Sequence, residues 1–228
     1  MAVDESVCWY DDICSVHGIG TSIVDGLWSS HGAPPPLHSG AKSVERGVTV
    51  RQVMDAVEPL EHCSVADSFC SLDLEAEGMA VLFQASWVHR EPDVDRPPPL
   101  PPGWRPVATV AELAEWTGAR DTTGVLLPGL LERATFRIVA RRRDGAVTAG
   151  AVAHLGTGVV GVSNVFDLDY EGGDWDEVVR VVQACFPGRP IVGYEWGRPL
   201  THALAAGFTT VGEHRVWFRE GVTRAPGE

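Results

Sequence analysis

The stretch FRIVARRRDGAVTAGAVAHLGTGVVGVSNVF, residues 136–166, constrains the fold more than any other part of the chain. Its three apolar runs are Phe136–Arg142, Val147–His154 and Val159–Phe166, separated by Asp144-Gly145 and by Gly156–Gly158. Both residues of an Asp-Gly pair tolerate positive φ, which suits a two-residue hairpin turn. Runs of seven or eight residues rich in Val and Ala are short for helices and fit buried strands. An antiparallel meander of three strands is therefore expected.

Elements on either side extend the pattern. Trp104–Ala108 reads as a short strand, Thr109 and Glu112 as a capping box opening a helix over Val110–Thr117, and Pro128–Arg133 as a short helical piece. After the meander, Asp174 and Glu177 open a helix whose apolar face is Val178, Val181, Val182 and Cys185, and Pro187-Gly188 ends it. Ile191–Glu195 then reads as a strand, Pro199–Ala206 as a short helix and Val211–Arg219 as a last strand. Hairpins early and crossover helices later predict an α+β (α/β) fold, a mixed and mostly antiparallel sheet flanked by helices.

Residues 91–103, EPDVDRPPPLPPG, carry six prolines and read as an extended connector. It separates an N-terminal extension or half-domain, 1–90, from the segment 104–228. The extension is expected to hold a helix over Val3–Val16, a long irregular loop over 18–47 and a helix from Val50 to Leu60 capped by Thr49. Strands over Cys63–Leu74 and Met79–Arg90, joined by a turn at Glu75–Gly78, should form a hairpin. GMAVLFQASWVHRE from 78 and GFTTVGEHRVWFRE from 207 echo one another, as a duplicated half-domain or chance would make them.

Charge and composition restrict the partners. The net charge of −13 repels phosphate backbones and anionic lipid, so neither nucleic acid nor a membrane surface is expected as partner. The dense basic run Arg141-Arg142-Arg143 reads as a solvated hairpin tip. No apolar run approaches a membrane span. The acidic opening MAVDESVCWYDD lacks the zones of a signal peptide, so a cytoplasmic location is expected. Five cysteines at irregular spacing predict reduced thiols. Cys8, Cys14 and His17, with His62, Cys63 and Cys70, lack the close pairs of structural zinc, and no metal is expected.

Three stretches carry a resemblance: RRDGAVTAGAVAHLGTGVVGVSNVF, PIVGYEWG and LAAGF before the last strand. Over residues 104–220 the chain resembles the GNAT superfamily of acyl-CoA-dependent N-acyltransferases. The resemblance implies that Val159–Phe166 and Ile191–Glu195 are neighbouring strands that splay apart, with the pantetheine arm of an acyl-CoA such as acetyl-CoA between them. It further implies a small amine as acceptor, with a homodimer left open. Backbone N–H groups of Val162, Ser163 and Val165 would then serve the oxyanion and the cofactor, and Gly172-Gly173 would form the nest for the diphosphate.

The chain also departs from the family. Where the family has Arg or Gln and spaced glycines, this chain has DLDYEGGDWDE, and where it often has a Tyr general acid, this chain has Ala203. Carboxylates within ~6 Å of a phosphate cost on the order of 1–3 kcal/mol each, more than the roughly 0.3–1 kcal/mol that a helix terminus contributes. Either the acids point outward, or CoA binding is weak or lost. Asp167, Asp169 and Glu171 also open like a calcium loop, but the twelfth position is Val178, not Glu.

Acyl transfer to an amine needs a base and an oxyanion donor. Glu195, at a strand end, is the candidate base, with an ion pair to Arg198 as the structural alternative. Asn164, polar in an apolar strand, either pins a ligand or caps a turn. Tyr194 alternates to the opposite face from Glu195, as a site or a core residue. His154, His202 and His214 fall in the same region and read more simply as packed side chains. Besides the transferase, the sequence leaves a non-catalytic GNAT-shaped binding module and an enzyme that reuses the cleft without CoA.

Overall fold

The computed structural model describes residues 1–60, 63–92 and 98–219. In chain order these form α1 (Ala2–Val16), β1 (Thr21–Val24), β2 (Leu27–Ser30), β3 (Ala41–Ser43), α2 (Val50–Val57) and β4 (Ser64–Asp67). There follow β5 (Met79–Arg90), β6 (Trp104–Pro106), α3 (Val110–Arg120), β7 (Phe136–Arg143), β8 (Ala146–Leu155) and β9 (Val160–Asp167). The last elements are α4 (Trp175–Cys185), β10 (Ile191–Glu195), α5 (Gly197–Ala205) and β11 (Thr209–Arg219). Among the described residues no helix is long and apolar enough to cross a membrane. None of the five cysteines is in a disulfide.

The chain divides into two compact units that are not consecutive segments. The first comprises Met1–Trp9 and Ser86–Val211; the second, the described residues of Tyr10–Ala85 and Gly212–Glu228. Helix α1 and strands β5 and β11 therefore contribute residues to both. The flanks of the proline-rich stretch fall in the first unit; residues 93–97 lie outside the described residues.

The first unit carries a mixed sheet in the order β5-β10-β9-β8-β7-β6, in which only β10 and β9 run parallel. The meander forms as expected. Asp144 and Gly145 take positive φ (51° and 85°), the twist that a two-residue hairpin requires. One face of the sheet packs on α4 and α5, where Ala149, Ala151, Ala153, Val160, Val162 and Ile191 meet Val178, Val181, Val182 and Ala203. On the other side, Trp116 of α3 donates its indole N–H to the Val139 carbonyl (2.9 Å) and packs on Phe166. A Cβ at Gly150 would fall on both rings, so a side chain there would displace α3. Helix α3 extends past Thr117 through Gly118 to Arg120 and stops at Asp121, which takes the left-handed conformation (φ 58°).

The second unit has the sheet order β1-β2-β3-β4-β11-β5. Its core joins Leu27, Val53, Val57, Val65, Leu74 and Trp217. Residues 18–47 are not an irregular loop: they contain β1, β2 and β3. Asp25-Gly26 makes a two-residue turn with both φ positive (48° and 77°), the same signal as Asp144-Gly145. The strand expected over Cys63–Leu74 is shorter, because the buried Asp67 carboxylate accepts from the N–H groups of Phe69, Ser71 and Leu72 and coils the chain there. Nor do the strands flanking Glu75–Gly78 form a hairpin. Instead β4 pairs with β3 and β11. Both Gly78 and Gly207, which open the two echoing runs, are left-handed residues just before β5 and β11.

Candidate active site

The first unit places the candidate residues around the β9–β10 boundary. The parallel pairing of the two strands is confined to Ile191↔Val160 and Val192↔Gly161. From Gly193 onward β10 keeps its antiparallel partner, as Gly193↔Val88, Tyr194↔Trp87 and Glu195↔Ser86, and has no register with β9. The strands therefore splay toward their C-terminal ends, as the family resemblance implies. At the crotch a Cβ on Gly193 would lie 3.0 Å from the Val162 carbonyl oxygen, so the glycine permits the close approach where the opening begins.

A bulge in β9 re-aims its backbone at this point. Gly150 faces Phe166 while Val152 faces Ser163, so β9 carries one residue more than β8 between the two pairs. Asn164 sits there at φ 53°, a conformation that Asn adopts more readily than most residues. Its side-chain amide donates to Ser163 Oγ (3.1 Å). The polar interruption of an apolar strand thus marks the bulge itself. It leaves Ser163, Asn164 and Val165 as splay-lining backbone without a β10 partner.

Glu195 closes the edge of the opening. It is half-buried, and burial pushes its carboxyl up to about 8, against the lowering effect of Arg120 at the end of α3. No hydrogen bond or ion pair holds this carboxylate among the described residues. Its expected structural partner, Arg198, is instead bonded to Glu171 (2.6 Å). Tyr194 faces away, edge-on to Trp87 and beside Val192 and Ala2. Ala203 is buried in the core on α4 and α5, so the short helix presents no phenol at that position.

Of the histidines, His154 is buried and hydrogen-bonded through Nδ1 to the carboxyl of Glu5 on α1 (2.8 Å). A Cβ at Gly161 would fall on that Glu5 carboxylate, so the glycine at the last paired position makes room for it. Sequence reading missed Glu5, which is far from β9 in the chain and carries no local signal. His202 stacks on Tyr170 and hydrogen-bonds through Nδ1 to the Gly173 carbonyl (3.2 Å). His214 lies in the second unit, beside Phe83.

The acidic turn between β9 and α4 is held by its own groups. The basic run is not a solvated tip: Arg141 bonds Asp167 and Glu177 (2.8 and 2.9 Å) and Arg143 bonds Asp169 (2.9 Å). Arg142 turns away to Glu115 (2.6 Å). Asp174 caps α4 by accepting from the Glu177 N–H (3.0 Å). Gly172 and Gly173 have the positive φ of a nest (89° and 78°), but the Gly173 N–H is bonded to the Tyr170 carbonyl (3.0 Å). An open groove of about 470 Å³ lined by Glu115, Ala119, Gly145, Ala146 and Val147 lies elsewhere in the unit and contains none of the candidate residues.

An acyl-CoA would meet two different surfaces. The splay and its bulge suit a thioester arm. The turn disfavours a diphosphate, because Arg141, Arg143 and Arg198 are engaged with its own carboxylates and Asp174 caps the helix start.

A parallel pair that splays inside a mixed sheet flanked by helices is the arrangement the GNAT resemblance implies, and the chain has the GNAT fold. Among solved structures it is similar to a GCN5-related N-acetyltransferase from Kribbella flavida, with 16% identity, 97% of each chain covered and a TM-score of 0.64. It is similar as well to a functionally unknown conserved protein from Staphylococcus epidermidis, with 10% identity, 90% and 95% covered and a TM-score of 0.67. A third is a GCN5-related N-acetyltransferase-like protein from Streptococcus suis, with 12% identity, 95% and 98% covered and a TM-score of 0.52. No protein-family model and no curated protein matches the chain.

Proposed function

We propose that the first unit is an N-acyltransferase that moves an acyl group from a thioester to a small amine in the β9–β10 splay. The observation that carries this reading is the half-buried Glu195 carboxyl at the end of β10, where β9 no longer pairs with that strand. An amine arrives as an ammonium ion and must lose a proton before it attacks. A carboxylate with a pKa near 8 is suited to accept that proton near neutral pH, directly or through water. The free amine then adds to the thioester carbonyl, and N–H groups at the bulge, around Ser163–Val165, donate to the oxyanion. On collapse the C–S bond breaks and the proton still carried by the new amide nitrogen passes through water to the departing thiolate, since Ala203 offers none. The acidic charge of the chain supports a small cationic acceptor over a nucleic acid.

The engaged turn favours a second reading, in which the same cleft binds a small molecule or a peptide without transfer. Release of thiol from acetyl thioesters in the presence of primary amines separates the two. The transferase reading expects amine-dependent release that falls at least a hundredfold in Glu195→Gln while thioester affinity changes little. No amine-dependent release from any thioester would leave the binding-module reading.

A further inference from the structure

We infer that the donor taken by this cleft carries no diphosphate at the β9–α4 turn: its arm is a neutral, pantetheine-type thioester. This rests on the transferase reading and goes beyond it by naming the donor class.

The turn lies directly against the splay. A Cβ at Gly173 would come 2.8 Å from Val165 Cγ1, so an arm leaving the bulge passes this turn. Four of its N–H groups are taken up within the protein. The Leu168 N–H donates to Thr148, that of Asp169 to the Asp167 carboxylate, that of Gly173 to Tyr170 and that of Glu177 to Asp174. The helix terminus that would receive an anion is thus capped by the protein's own carboxylate, with Asp176 and Glu177 in its first turn.

Charge runs the same way. Asp167, Asp169, Glu171, Asp174, Asp176 and Glu177 stand against Arg141, Arg143 and Arg198, six against three, which leaves a surplus of three negative charges. Each of these arginines is directed at a carboxylate of the turn. The glycines have a packing reason that needs no phosphate. A Cβ at Gly172 would lie 2.9 Å from His202 Nδ1 and 3.3 Å from Arg198 Cγ, and one at Gly173 would meet Val165. Nδ1 of His202 is engaged with the Gly173 carbonyl. What the splay still offers is polar strand edge without a partner, which the amides of a neutral arm can pair with as an added strand would.

The test is calorimetric titration of the full chain with S-acetylpantetheine and with acetyl-CoA at low ionic strength. The inference expects acetyl-CoA to bind no more than threefold tighter than S-acetylpantetheine, or more weakly. Acetyl-CoA binding more than threefold tighter overturns the inference and leaves the transferase reading standing. Binding of neither overturns the transferase reading, and the inference with it. In the variant Asp174→Ser/Asp176→Asn, which keeps a capping hydroxyl, affinity for acetyl-CoA should rise threefold or more while that for S-acetylpantetheine stays level. A smaller rise shows that the carboxylates do not exclude the diphosphate and overturns the inference.

Discussion

The guanidinium of Arg141, on β7, donates to both carboxylate oxygens of Asp167 at the end of β9 (2.9 and 2.8 Å). The side chains are 16% and 4% exposed, and a second nitrogen of Arg141 reaches Glu177 in the first turn of α4. One residue thus ties the strand, the acidic turn and the helix together. Removing one member of a buried pair leaves the other charge desolvated, at about 3–5 kcal/mol. Arg141→Met should therefore lower Tm by roughly 6–20 °C. Arg141→Lys should fall between the two, since an ammonium cannot make the paired contact. Scanning calorimetry of the three proteins reads this directly, and a change of under 2 °C in Arg141→Met would count against the tie.

In the proposed reaction Glu195 would set the pH dependence of the site. Burial raises its folded-state carboxyl from the ordinary 4.5 to about 8. A base must be deprotonated, so kcat/KM should rise with pH and level off above about 8. The stability effect has the opposite sign. The folded state holds this proton more tightly than the unfolded chain, so its contribution is present below pH 4.5 and is lost as pH rises through about 8. Urea unfolding at pH 5, 7 and 9 should show wild type losing stability relative to Glu195→Gln along the series. Parallel curves would mean that the carboxyl titrates normally.

The Glu5–His154 pair predicts a non-additive cycle. Gly161→Ala pushes a methyl group into the Glu5 carboxylate and should cost about 2–3 kcal/mol by breaking a buried hydrogen bond. In a Glu5→Ala background the obstruction is gone, and the same substitution should cost under about 1 kcal/mol. Equal costs in both backgrounds, measured by urea unfolding, would show that the pair does not fix this end of β9.

The sequence was readable where local chemistry decides structure. Asp144-Gly145 announces its hairpin and Thr109-Glu112 its helix start, because turn and cap signals act within four residues. Asp25-Gly26 carries the same hairpin signal and was legible too, but the Gly, Pro and Ser around it masked strands of three or four residues. The strand order was not legible. Whether β4 pairs with β5 or with β11 is set by which edges meet, and Asp67 ends β4 through bonds to residues that carry no periodic pattern. At the site, Asn164 was identifiable as an anomaly but not as a bulge. The pairing of Arg141 with Asp167 and Glu177 spans 26 and 36 residues, so the acidic turn read as unbalanced when its counter-charges sat on β7.

The central claim is that the gap between β9 and β10 receives the acyl arm. Backbone amide hydrogen exchange with and without saturating S-acetylpantetheine tests it most directly. The account predicts that added protection concentrates in residues 162–167 and 193–195, with little change in β6 and β7. Protection confined to other strands, or none at all under conditions where the thioester is bound, would contradict it.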